Sequence, residues 1–236
     1  MINTYEQAVY KDPRISLNKL GEYLTTAKAS RRERILRDAK YPPTFQVIRY
    51  DPTRHIVQRF LAGKIANTTA LSDAVADYAL TKTKDEYEAR VKKANLDAME
   101  RFISMAPTLG FGDAKVSLGA HAPQRRMVNG VSVSVRPDLH LTVSGGNWPT
   151  RRGAIKLNIS KGAVHSKDAA DYVGTLLRHY IEEGCDPGEC DPQLCFALDI
   201  FGEKIAASPK ATINRMKDID AGCGEIARQW DSIEPG

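Results

Sequence analysis

The chain has 236 residues, 42% of them apolar and 27% charged, with a net charge of +5. That length buries a real core, that composition excludes wholesale disorder, and no apolar run approaches the roughly 18 to 20 residues needed to cross a bilayer. The opening MINTYEQAVYKDPR lacks the apolar stretch of a secretion signal, so a cytoplasmic protein without a membrane partner is expected.

The first 80 or so residues read as helical pieces punctuated by proline. Ser16 is placed to cap a helix over 16–27 with Leu17, Leu20, Tyr23 and Leu24 on one stripe. Ser30-Arg31-Arg32-Glu33 has the form of a capping box for a short basic helix over 30–39, closed by Tyr41-Pro42-Pro43. Asp51-Pro52 predicts the start of another helix, running to about Ala62 and stopped by Gly63. Two short helices with a basic second member fit a helix-turn-helix reader or a packing layer with a solvated face. No third helix with a recognition pattern follows, so the packing layer is expected.

From Lys84 the pattern sharpens, and the chain divides into a helical region over 1–83 and an α/β core over 84–236. Residues 84–105 form a long helix with Tyr87, Val91, Leu96, Met99 and Ile103 near one side, and Leu109-Gly110-Phe111-Gly112 is its stop and turn. A strand over 114–120 follows. In the run 131–143, Val131, Val133, Val135, Leu139, Leu141 and Val143 share one parity. Ser132, Ser134, Arg136, Asp138, His140 and Thr142 share the other, with Pro137 marking a bulge or edge. Ser144 to Asn147 supplies turn residues, and Ile155, Leu157 and Ile159 define a strand whose polar side holds Ala154, Lys156, Asn158 and Ser160. A helix over 166–183, an apolar strand over 194–201 and a last helix capped at Ser208-Pro209 complete the chain. The seam of that last helix, through Cys223 and Trp230, suits the core or a partner subunit equally. The expected fold is therefore α/β (α+β): a central mixed sheet flanked by helices.

If the strands 131–143 and 153–160 pair as a hairpin, parity puts their polar sides together, with Asp138 and His140 roughly opposite Asn158 and Lys156. A carboxylate beside an ammonium suits phosphodiester hydrolysis, the acid holding a divalent ion and the amine steadying the attacking water or developing charge. The same face is also what a half-exposed antiparallel sheet presents to water, its Asp–Lys pair a surface ion pair.

The helix-strand-strand-strand-helix-strand order, with Pro137-Asp138 on the second strand and Ala154-Ile155-Lys156 on the third, resembles the PD-(D/E)XK nuclease superfamily. Its signature is Pro-Asp, a spacer, then an acidic residue, any residue and a lysine. The resemblance covers about 84–201 and implies a Mg²⁺- or Mn²⁺-dependent nuclease with Asp138 and Lys156 as catalytic residues. Here Ala154 stands at the signature's acidic position, which implies that Glu100 on the preceding helix completes the metal site with Asp138. Asp168 and Asp171 are lesser donors, and without any donor the fold binds nucleic acid without cutting it.

The alternative is thus a non-catalytic module or scaffold. The basic pairs Arg31-Arg32, Arg125-Arg126 and Arg151-Arg152 are the candidate phosphate contacts in either case. Other signatures are missing: no phosphate loop, no dinucleotide glycine motif, no nucleophile elbow and no zinc-protease helix. Cys185, Cys190 and Cys195 sit five apart, outside usual zinc spacing, and read with Cys223 as free structural thiols. His121, His165 and His179 gain no role from spacing.

Overall fold

The computed structural model describes residues 8–43, 49–119, 125–145 and 148–236. In chain order these form β1 (Arg14–Ser16), α1 (Leu17–Thr25), α2 (Ala29–Lys40), α3 (Asp51–Leu61), α4 (Thr68–Leu80) and α5 (Glu86–Met105). A 3₁₀ turn at Ala106–Thr108 precedes β2 (Lys115–Leu118), β3 (Arg125–Val128), β4 (Val131–Ser134), β5 (Leu139–Gly145) and β6 (Trp148–Asn158). The chain closes with α6 (Lys167–Glu183), β7 (Cys190–Asp199), β8 (Lys204–Ala207) and α7 (Ile213–Gln229).

The expected α/β class is observed, with the strands arranged as two mixed sheets. The larger runs β2-β5-β6-β7-β8. β2, β5 and β6 are antiparallel neighbours, and β7 returns parallel to β6 after the α6 crossover. The smaller sheet runs β1-β4-β3, with β1 parallel to β4. Hydrophobic faces dictate the layering. Leu139, Leu141, Ile155 and Leu157 pack with Val57, Leu71, Met99 and Phe102 from α3, α4 and α5. On the opposite face Ala154, Cys195 and Ala197 join Leu20, Leu176 and Leu177 from α1 and α6. The smaller sheet adds Ile15, Val131 and Val133 to that second core, which α7 closes with Ile219, Cys223 and Ile226.

Two expectations need correction. The run 131–143 is not one strand: Arg136, at φ 30°, takes the left-handed conformation and divides it between the two sheets. The shared parity survives, yet Val131, Val133 and Val135 enter one core while Leu139 and Leu141 enter the other. The helices of the 1–83 region serve both cores: α1 and α2 pack with α6 and α7, while α3 and α4 pack with α5. The capping box at Ser30 does not form. Helix α2 starts at Ala29 behind Lys28 without a side-chain cap, and Glu33 pairs with Arg37 instead.

Several elements had weaker signals. β3 and β4 meet through Asn129 and Gly130, both at positive φ, the backbone a tight two-residue hairpin requires. The three-residue β1 and four-residue β8 are too short for periodicity, and α4 has only Leu71 and Val75 buried. Helix α7 begins later than Ser208-Pro209, behind Thr212.

Candidate functional site

Asp138 stands just before β5, where the backbone leaves the left-handed Arg136. Its N–H donates to the Ile155 carbonyl at 2.9 Å, and its own carbonyl accepts from Gly119 N–H at 3.0 Å and Gln58 Nε2 at 2.9 Å. These bonds hold the residue against β2, β6 and α3 together. The β5–β6 register pairs Leu139 with Ile155 and His140 with Ala154. It is two residues from the expected one, a shift that preserves parity and brings Asp138 beside Lys156.

The carboxylate is fully engaged. Oδ1 pairs with the Arg54 guanidinium; Oδ2 accepts the Leu157 N–H at 2.8 Å and lies 3.3 Å from Lys156 Nζ. Lys156 Nζ also donates to the Arg136 carbonyl at 2.7 Å. The side chains are 5% and 11% exposed respectively, so the pair is an interior one. Burial lowers the Lys156 pKa from its ordinary value, and the Arg54 and Arg136 cations push the same way against the attraction of Asp138. Arg54 was not foreseen from the sequence. The only available trace is that Arg54 and Gln58 stand one turn apart on α3 and both reach Asp138.

The second acid is a different matter. Ala154 is completely buried and belongs to the core beneath α6. Glu100 is exposed on α5, and its recorded hydrogen bond is local, its carbonyl accepting from Ser104. Asp171 is bound to Arg215 and Asp168 lies in the first turn of α6. Among the described residues no group of three or more His, Cys, Asp or Glu is arranged to hold a metal ion. A divalent ion at Asp138 would have to displace Arg54 or the Leu157 N–H, so the donor set present does not fit one.

The same side of the sheet opens farther along into a cleft of about 480 Å³. Ser117 of β2, His140 and Thr142 of β5, Arg152 of β6, and Tyr180 and Cys185 at the end of α6 line it. Burial holds the His140 pKa below its usual value, leaving the imidazole neutral at pH 7. Arg152 reaches Glu189 at 2.7 Å, Arg151 reaches Asp191 at 2.8 Å, and Arg126 reaches Glu183, which also lines the cleft, at 2.7 Å. Arg125, beside Arg126 on β3, has no carboxylate partner among the described residues. Arg31 and Arg32 serve elsewhere, tying α2 to α1 through Glu22 and to α7 through Glu225. The structure therefore brings Arg152 and, through Glu183, Arg126 to the cleft, pairs Arg151 with Asp191, and leaves Arg31 and Arg32 with the helical layer. His121 lies outside the described residues.

No helix among the described residues is long and apolar enough to cross a membrane. No protein-family model matches this chain, and no curated protein matches it in sequence.

Proposed function

We propose that this protein binds nucleic acid across the cleft face of its larger sheet and does not hydrolyse it. The observation that carries the reading is the cleft itself. Arg152 and the hydrogen-bonding side chains of Ser117, His140 and Thr142 meet there, with Arg126 at its margin through Glu183. The carboxylates now facing these arginines are no obstacle. Partly exposed ion pairs contribute only about 0 to 1 kcal/mol each, so phosphate oxygens replace them at small cost and gain from counterion release. The net charge of +5 favours the same partner. The succession α5, β2, β5, β6, α6, β7, with Asp138 and Lys156 adjacent, supports the likeness to PD-(D/E)XK nucleases. The occupied Asp138 carboxylate and the buried Ala154 support a version without cleavage chemistry. A cytoplasmic placement goes with such a partner.

The test is fluorescence anisotropy with labelled single- and double-stranded DNA and RNA across a salt series. Binding should weaken steeply with salt, and replacing Arg125, Arg126, Arg151 and Arg152 by Ala should flatten the slope by roughly 0.7 to 0.9 per lost phosphate contact. No binding at low salt ends the proposal. Mg²⁺- or Mn²⁺-dependent cleavage that Asp138→Ala and Lys156→Ala abolish would restore the hydrolytic reading, with Glu100 the acid to examine next.

A further inference from the structure

The β6–β7 pairing contains an irregularity with chemical content. Arg152 pairs with Cys190 and Ala154 with Cys195, so β7 spends four residues, 191–194, where β6 spends Gly153 alone. The excursion is closed by Gln193 N–H donating to Asp191 Oδ1 at 2.9 Å. Its effect is to bring two cysteines that are five apart in sequence next to two β6 residues that are two apart. Residues i and i+2 of a strand lie about 6.6 Å apart and point the same way. Cys190 and Cys195 are thereby set at about the Cα separation that a disulfide spans, on one face. Both contribute to the core under α6, where the Cys190 thiol also donates to the Arg178 carbonyl at 3.7 Å.

We infer that Cys190 and Cys195 form a redox-responsive dithiol that a hydroperoxide closes to a disulfide, Cys190 being the attacking sulfur. Access divides the roles: Cys190 is partly exposed, whereas Cys195 is buried. The neighbouring Cys195 thiol is the chief influence holding the Cys190 pKa below its ordinary value. Cys190 in turn raises that of Cys195, and burial raises it further. Cys185 and Cys223 are poorer nucleophiles, burial pushing Cys185 up and Cys223 to about 12.

In the first step the Cys190 thiolate attacks one peroxide oxygen, the O–O bond breaks, and a sulfenic acid forms as hydroxide or alkoxide leaves and takes up a proton. In the second, the Cys195 sulfur attacks that of Cys190. The S–S bond forms, the S–O bond breaks, and the hydroxyl departs as water with the Cys195 proton. Two electrons pass from the thiols to the peroxide, and a thiol such as glutathione reverses the change. The inference does not depend on nucleic-acid binding.

The test treats the reduced, full-length protein with hydrogen peroxide and then alkylates it. Before oxidation all four cysteines should react after unfolding; afterwards two should, and thiol treatment should restore four. Cleavage before Asp191 separates Cys190 from Cys195, so mapping should show these two linked. Cys185→Ser should keep the link. Cys190→Ser should abolish it, and Cys195→Ala should leave Cys190 as a sulfenic acid that dimedone captures, which keeps the outcome readable if either variant is less stable. A Cys185–Cys190 link, a link formed only in denaturant, or no thiol loss would overturn the inference.

Discussion

A carboxylate as enclosed as Asp138 survives only when its hydration is replaced, and here Arg54, Lys156 and the Leu157 N–H supply the replacement. Each of those partners is therefore a support for a buried charge before it is anything else. Arg54→Ala should cost about 2 kcal/mol in urea unfolding, because Asp138 keeps two of its three contacts and Arg54 is partly exposed. A change within experimental error would show that the guanidinium is dispensable and free for other work. Histidines set a second residue-scale expectation. Burial lowers the pKa of His140, His165 and His179 below 6.5. As pH falls through 6.5 the unfolded chain takes up protons first, so stability drops from there towards the lower folded-state values. Urea midpoints at about pH 7.5 and about pH 5.5 should differ in that sense, and His165→Asn should shrink the difference. Equal midpoints would refute it.

At the scale of elements, the join between β6 and β7 rests on one small residue. A Cβ on Gly153 would meet the Leu194 carbonyl oxygen at 2.1 Å and its carbonyl carbon and Cβ at 2.4 Å, none of them the movable end of a flexible side chain. Gly153→Ala should therefore cost about 3 kcal/mol or more and disturb both the cleft and the excursion at 191–194. Gly130 is demanding for a different reason: its φ of 83° favours glycine while its nearest neighbour, Ala227 Cβ, is 3.4 Å from a built Cβ. Gly130→Ala should cost about 1 kcal/mol, well below the other change. Thermal unfolding of the two variants compares them directly, and the reverse order would mean that the close approach at Gly153 relaxes easily. The element-level reading of the sequence succeeded where amphipathic periods ran long, as in α5 and α6. It failed at 131–143, because alternation records which residues are apolar and not which apolar layer receives them.

Across the whole molecule, the segments around Tyr10 and Lys40 are tied to the residues that follow α7. Trp230 is 1% exposed and donates Nε1–H to the Tyr10 carbonyl at 3.1 Å. The buried Lys40 Nζ donates to the carbonyls of Trp230, Asp231 and Ile233 at 2.7, 3.2 and 3.0 Å. It thus satisfies carbonyls of the segment that leaves α7. Deleting residues 230–236 should cost about 4 kcal/mol, through the lost indole and the stranded Lys40 ammonium. Lys40→Met in the full chain should cost less than the deletion. Equal losses in chemical denaturation would assign the whole effect to the lysine. The sequence by itself determined the α/β class, the order of the longer elements and the shared parity of Asp138, His140 and Lys156, because periodicity is a local property of the chain. Only the tertiary structure decided that Arg54 closes over Asp138, that five of the six paired arginines face carboxylates, and that Cys190 lies beside Cys195. Each depends on backbone brought together by strand register, a left-handed residue or a bulge, and no local pattern of side chains encodes those distances.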